Sequence, residues 1–472
     1  MTVSQNIFIG HTQHDSTDTF TVINPATEEP IAEVANATSK HWMMALDKAT
    51  EIAHSWGSSA PRDRSEILEK IHQAVSDQAE ELAQLITMEM GKTLTEAKAE
   101  IAYGLDYFRW FHAAAERMSG YTLQAPRGNG DILVTKEPVG PVLAITPWNF
   151  PFAMAARKLA PALAAGCPVI LKPADLTPLT MLKLAEIISP ILPDGVLSVI
   201  PTTRAKELSL ELMADPRLKK LSFTGSTAVG TLLAKQAAPQ LIRLSLELGG
   251  NAPFIVAADA DMDKAIDGAI AAKMRNGGQA CICANRFFIH SSRIEEFTTR
   301  LTERMNAYHM GPGTDPQTTL GPMVSAPQRD RIHALVQDAL ECGAEIISGG
   351  YIPDSPGYFY PPTVISGVDN DMKIAREEIF GPVAGIQSFD TNEEVVVAAN
   401  NTHYGLAAYA YTESLEGARY FSTHLNTGMV GINRGAISDV AAPFGGVKLS
   451  GLGREGGLDG IEEFLNTKYI AL

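Results

Sequence analysis

Gly140-Pro141-Val142-Leu143-Ala144-Ile145-Thr146-Pro147-Trp148-Asn149-Phe150-Pro151 reads as a buried strand, a loop and the first turn of a helix. Residues 142–145 are apolar throughout, and a helical stretch follows at about 152–165. The unit then repeats. A second apolar run, 168–171, ends at Lys172-Pro173-Ala174-Asp175 and precedes a helix at about 180–188. A third, 196–200, ends at Pro201-Thr202-Thr203. A fourth, 218–223, ends at Thr224-Gly225-Ser226 and opens a helix to about 237. Apolar strands alternating with helices predict an α/β chain with a doubly wound parallel sheet, and ligands lie at the carboxyl ends of such strands. No Gly-x-Gly-x-x-Gly follows any of these strands. Gly451-Leu452-Gly453-Arg454-Glu455-Gly456 has the spacing, but no strand–helix unit surrounds it. A dinucleotide bound to this sheet would need another loop. Gly225-Ser226 at a helix start offers backbone N–H groups and a hydroxyl to one phosphate.

Upstream, residues 1–38 read as irregular and strand-like, with a turn at Asn24-Pro25-Ala26-Thr27, and 39–115 as helices that cover a sheet. Residues 119–139 read as a hairpin with its tip at Gly128-Asn129-Gly130-Asp131. A lone hairpin is not stable, so this one must pack on another part of the chain or on a second subunit. Further on, Met262, Ala265, Ile266, Ala269, Ile270 and Met274 form one apolar helical stripe. Asn276-Gly277-Gly278 stops that helix, because these residues tolerate a left-handed backbone. A strand at 286–290 follows, which leaves Cys281 and Cys283 on the bend between helix and strand. Reactive side chains concentrate on such loops.

The chain has 472 residues, which calls for two or three domains. Its formal charge of −16 argues against nucleic acid as a partner, since that binding rests on Lys and Arg neutralising phosphates. Small anionic ligands would meet a repulsive average field and need local arginines, lysines or helix N-termini. Four cysteines are too few for a disulfide scaffold and fit a reducing compartment. There is neither a secretory signal pattern nor an apolar run long enough for a membrane span, so a cytoplasmic location and no membrane partner are expected. The histidines are scattered, with no pair at metal-ligand spacing, and no metal is expected.

Several stretches in order along the chain resemble the aldehyde dehydrogenase superfamily. They are Thr146-Pro147-Trp148-Asn149-Phe150-Pro151, Phe223-Thr224-Gly225-Ser226-Thr227, Leu246-Glu247-Leu248-Gly249-Gly250, Gly278-Gln279-Ala280-Cys281, Glu377-Glu378-Ile379-Phe380-Gly381-Pro382 and Pro443-Phe444-Gly445-Gly446. The resemblance implies that Cys281 is the nucleophile, that Asn149 and the Cys281 N–H stabilise an oxyanion, and that Glu247 is the general base. This fits the chemistry. An aldehyde becomes a good hydride donor only as a tetrahedral adduct, and a thiolate is the side chain best suited to form one. The apolar run around Glu247 predicts a partly buried carboxylate with a raised pKa. For the cofactor, the resemblance implies contacts from Thr146, Trp148, Lys172, Asp175, Gly225, Ser226, Leu248, Glu378 and Phe380. A carboxylate at Asp175 accepts from a ribose 2′-hydroxyl and repels a 2′-phosphate, so NAD is expected over NADP, with NADP still served by Lys172.

Gly278-Gln279-Ala280-Cys281-Ile282-Cys283-Ala284-Asn285-Arg286 and the stretch 155–167 are similar to the succinate-semialdehyde dehydrogenases within that superfamily. That likeness implies a substrate carboxylate held by Arg157, by Arg275 six residues before Cys281, and by Ser438. Glutarate semialdehyde is the alternative substrate, because Arg434 and Asp439 depart from the pattern near the expected pocket. Cys283 is a possible disulfide partner for Cys281. The expected architecture has three parts. A dinucleotide-binding domain spans 1–118 and 140–246, a second α/β catalytic domain spans 247–440, and oligomerisation elements span 119–139 and 441–472. A homodimer or homotetramer follows from the last.

Overall fold

The computed structural model describes residues 5–472; the first four residues of the strand-like N-terminal stretch lie outside them. The chain opens with strands β1 (Ile7–Ile9) and β2 (Thr12–His14), then a small antiparallel pair, β3 (Thr19–Ile23) and β4 (Pro30–Ala35). Four helices follow: α1 (Ser39–Gly57), α2 (Pro61–Ser76), α3 (Ala79–Met90) and α4 (Leu94–Ala115). Pro61 occupies the first turn of α2, where its missing N–H costs nothing. The hairpin strands are β5 (Tyr121–Gln124) and β6 (Asp131–Pro138).

The repeated strand–helix units come next: β7 (Val142–Ile145), α5 (Pro151–Ala165), β8 (Val169–Lys172), α6 (Leu179–Ile188), β9 (Leu197–Val199), α7 (Ala205–Ala214), β10 (Lys220–Thr224), α8 (Thr227–Ala237) and β11 (Arg243–Glu247). Strands β7 to β11 run parallel in an eight-stranded sheet. Helices α2, α4, α5 and α6 bury Leu68, Phe108, Leu159 and Leu182 on one face, and α1, α7 and α8 bury Trp42, Leu212 and Leu233 on the other. The sheet is doubly wound, as the alternation predicts. Its edges are not parallel, however. The N-terminal β1 joins β9 antiparallel, and β19 (Gly451–Leu452) joins β11 antiparallel. Local periodicity carries no information about partners so distant in sequence.

The second half forms a seven-stranded sheet. Its strands are β12 (Ala252–Val256), β13 (Ala284–His290), β14 (Glu345–Ser348), β15 (Thr363–Ser366), β16 (Val383–Phe389), β17 (Ala407–Tyr411) and β18 (Met429–Ile432), in the order 14-15-16-13-12-17-18. Helix α9 (Met262–Met274) is capped by Asp261, whose carboxylate accepts from two backbone N–H groups of the first turn. The last strand, β20 (Leu465–Ala471), pairs antiparallel with β6 along its whole length. The hairpin is thus completed by the C-terminus of its own chain. No helix among the described residues is long and apolar enough to cross a membrane.

Candidate active site

In the first sheet β7 lies between β10 and β8, so the winding direction reverses beside β7. The loops after β7 and β10 flank this switch point, where open α/β sheets bind ligands. Both loops line a cavity of about 400 Å³, and the loop between α9 and β13 closes its far side with Cys281. Strand β11 ends on Glu247. Leu248-Gly249-Gly250 then carries the chain across into the second sheet. A Cβ on Gly250 would stand 2.2 Å from the Cys281 carbonyl oxygen, so only glycine lets the two loops meet.

The cavity brings together most of the residues expected from sequence. Trp148, Asn149, Arg157, Gly225, Ser226, Glu247, Leu248, Arg275, Cys281, Glu378, Phe380 and Ser438 all line it. Thr146, Lys172, Asp175 and Cys283 do not. Lys172 is buried at the end of β8, where its carbonyl accepts from the Thr146 N–H, and Asp175 is exposed just beyond it. Cys283 is buried, with Sγ 3.7 Å from the Lys273 carbonyl, and both cysteines are free thiols. Arg434 and Asp439 are exposed and lie outside the cavity wall.

Helix α9 stops where expected. Asn276, Gly277 and Gly278 take φ of 54°, 60° and 77° in succession, which turns the chain back toward Cys281. The Tyr409 hydroxyl donates to the Ile282 carbonyl at 2.8 Å and fixes the loop from beneath. The Asn149 Nδ2 donates to the Gln279 carbonyl at 2.9 Å, which leaves its second N–H for another acceptor.

Burial pushes the Cys281 thiol pKa up to about 12; Arg157 opposes the shift, and Glu378 and Glu247 add to it. Glu247 is buried, and neither carboxylate oxygen has a protein hydrogen-bond partner. Burial raises its pKa well above the usual carboxylate range. The negative charge of Glu455 adds to this, while Arg157, Lys158 and Arg454 oppose it. Glu455 itself is buried, but its ion pairs with Lys158 and Arg157 outweigh desolvation and keep it ionised. Glu378 is raised to about 7 by burial, against the Gly250 N–H that donates to it at 3.0 Å.

Arg157 is 2 % exposed and sits 3.9 Å from the Phe444 ring centre. Its Nη2 lies 2.8 Å from Glu455 Oε2, but without hydrogen-bond geometry, so Nε and Nη2 both keep a donor unspent. Arg275 Nη1 lies 3.5 Å from Ser438 Oγ and its guanidinium 5.1 Å from the Phe150 ring centre. Two guanidinium groups and a hydroxyl therefore face one cavity, a set suited to a carboxylate.

Sequence reasoning gave no site role to Glu455, Lys158, Tyr103 or Phe444. Glu455 lies inside the Gly-x-Gly-x-x-Gly stretch set aside above, and its partner Lys158 is 297 residues away. No local pattern links the two.

The other arm of the cavity fits a nicotinamide dinucleotide. The first turn of α8 lines it, with Ser226 as N-cap, an arrangement whose backbone N–H groups suit a phosphate. Trp148 and Phe380 stand edge to face at 5.3 Å and form an aromatic wall for a planar ring. A Cβ on Gly249 would come within 2.8 Å of Glu378 Oε2, so glycine there lets the Glu378 carboxylate lie close against the backbone.

Fold and cleft together define an NAD(P)-dependent oxidoreductase. The chain belongs to the aldehyde dehydrogenase family, whose sequence profile matches residues 11–470. It is 49% identical over 443 residues to a succinate-semialdehyde dehydrogenase of Paenarthrobacter nicotinovorans, covering 94% of this chain and 98% of that one. It is 45% identical over 456 residues to a probable NADP(+) succinate-semialdehyde dehydrogenase of Sinorhizobium fredii, covering 96% and 92%. The crystal structure of succinate-semialdehyde dehydrogenase from Burkholderia pseudomallei superposes with a TM-score of 0.98 at 43% identity, covering 100% of this chain and 98% of that one.

Proposed function

We propose that this enzyme oxidises succinate semialdehyde to succinate with NAD(P). The observation that carries the reading is the convergence of Arg157, Arg275 and Ser438 on the cavity that holds Cys281. The guanidinium groups hold the substrate carboxylate, so the aldehyde carbon at the other end meets the sulfur. A thiol at about 12 is neutral at pH 7, so its proton leaves as the sulfur attacks. Glu247, on the same cavity with unpartnered oxygens, is the acceptor. The adduct oxyanion takes the free N–H of Asn149 and the Cys281 N–H. Trp148, Phe380 and Glu378 would hold the nicotinamide, which would supply the hydride acceptor for the adduct. Glu247 then gives the thiol's proton up to solvent; a water from which it takes a new proton attacks the Cys281 thioester, and that proton goes to the departing sulfur, releasing the acid and restoring the thiol.

Asp175 supports NAD over NADP, against the NADP(+) in the name of the Sinorhizobium relative. Residues 1–118 with 140–246 act as the dinucleotide domain and 247–440 as the catalytic domain. Tyr121, Leu123 and Tyr469 are exposed on the three-stranded sheet of β5, β6 and β20, which fits a homodimer or homotetramer. Four free cysteines fit the cytoplasm.

An absorbance assay at the NADH band tests the substrate. Succinate semialdehyde, glutarate semialdehyde and a neutral aldehyde of equal length are compared by kcat/KM. Succinate semialdehyde is expected to lead. A neutral aldehyde turned over equally well would sink the carboxylate site, and a lead for the five-carbon acid would make glutarate semialdehyde the substrate.

A further inference from the structure

We propose that the buried Lys92–Glu100 ion pair is the positioning device for the Asn149 oxyanion donor, an inference that rests on the reading of Asn149 above. Lys92 lies in the turn between α3 and α4, and Glu100 lies in α4; they are 3 % and 2 % exposed. The Lys92 ammonium donates to Glu100 Oε2 at 2.5 Å and to the Asn149 carbonyl at 2.8 Å, and stands 3.9 Å from the Phe150 ring centre. The other oxygen of Glu100 accepts from the Phe152 and Ala153 N–H groups at 2.9 and 3.2 Å, in the first turn of α5. One charge pair thus grips the loop on both sides of Phe150 and Pro151.

The same segment also reaches the cysteine loop. Glu96 Oε1 accepts from the Asn276 N–H at 2.6 Å. The Asn276 Nδ2 donates to the Asn149 carbonyl and to the Gln279 carbonyl, each at 3.0 Å. Gln279 in turn accepts from the Asn149 side chain. Lys92, Glu96 and Glu100 therefore tie the donor loop and the nucleophile loop to one rigid support. Burying a charge pair is often no more stabilising than burying apolar residues of the same size. A positional role accounts for its being here, since a donor displaced by about 1 Å costs on the order of a hundredfold in rate.

The test is a mutant cycle read by single-turnover hydride transfer. The variant K92M/E100Q removes both charges together, so neither is left buried alone. With Asn149 present it is expected to slow hydride transfer by about tenfold or more. In the N149A background it should change the rate by less than about twofold, because its route to the adduct is gone. KM for the semialdehyde and dinucleotide affinity stay at their original values in both. Equal losses in the two backgrounds, or no loss with Asn149 present, overturn the proposal. If N149A alone transfers hydride at the original rate, the reading of Asn149 fails and takes the proposal with it. Should the neutral pair not fold, K92R keeps the charge, displaces the donor and must show the same split between backgrounds.

Discussion

Arg157 Nη2 stands 2.8 Å from Glu455 Oε2 in the protein interior, and Glu455 also holds Lys158. The carboxylate is therefore held by two cations, and its charge is felt by Glu247, the proposed base. Replacing it with glutamine, E455Q, leaves both cations unpaired and should cost about 3–5 kcal/mol of stability, read as a lower Tm. It also removes a negative charge that raises the Glu247 pKa. The acid limb of the kcat–pH profile should move to lower pH. An unchanged limb would mean that Glu455 is not felt by the base.

The proposed base, Glu247, sets a second expectation. Burial is the largest cause of the raised Glu247 pKa, so the carboxylate form needed to accept a proton appears only as pH rises through that value. Turnover should climb between pH 5 and 8 in the native enzyme. A flat profile over that range removes Glu247 from the role.

Cys281→Ser keeps the shape of the loop but replaces the sulfur with a poorer nucleophile. Turnover should fall by about a thousandfold or more, while dinucleotide binding, followed by fluorescence quenching, is retained. A variant that still oxidises semialdehydes at full speed rules out the covalent route.

Arg157→Met and Arg275→Met should each lower kcat/KM for succinate semialdehyde by roughly 10- to 150-fold, equivalent to about 1.5–3 kcal/mol. The neutral aldehyde of equal length is the control and should lose far less. Equal losses on both substrates would assign the arginines to the fold.

Cofactor choice is expected to turn on Asp175. NAD is expected to give the higher kcat/KM, and Asp175→Ser to narrow the gap by admitting a 2′-phosphate beside Lys172. An NADP preference above about tenfold in the native enzyme, or ~1.4 kcal/mol, reverses the assignment.

Much of this was legible in the chain. The elements from β7 to α8, α7 apart, fall within a residue or two of the bounds read from sequence, because a buried parallel strand has no solvent face and reads as continuous hydrophobicity. The cysteine loop is signalled by Asn276-Gly277-Gly278, three residues that accept a left-handed backbone. What stayed hidden is pairing over distance. Strand β1 beside β9, β19 beside β11, and Glu455 against Lys158 are each chosen by the assembled core, and no short window contains both partners. Lys92 and Glu100 were invisible for a related reason: in sequence they look like ordinary charges of a helix surface, and only burial separates them from that.

The chain closes on itself late. Strand β19 seals the edge of the first sheet, Glu455 follows three residues after it, and β20 completes the hairpin. A ribosome that has made everything up to residue 450 has therefore produced the cysteine, the base and the nucleotide cleft, but not the counter-ion that sets the electric field between them. The oxidising apparatus gains its working electrostatics only once Glu455 is made, and a chain cut short before that residue would carry the parts of an enzyme without its tuning.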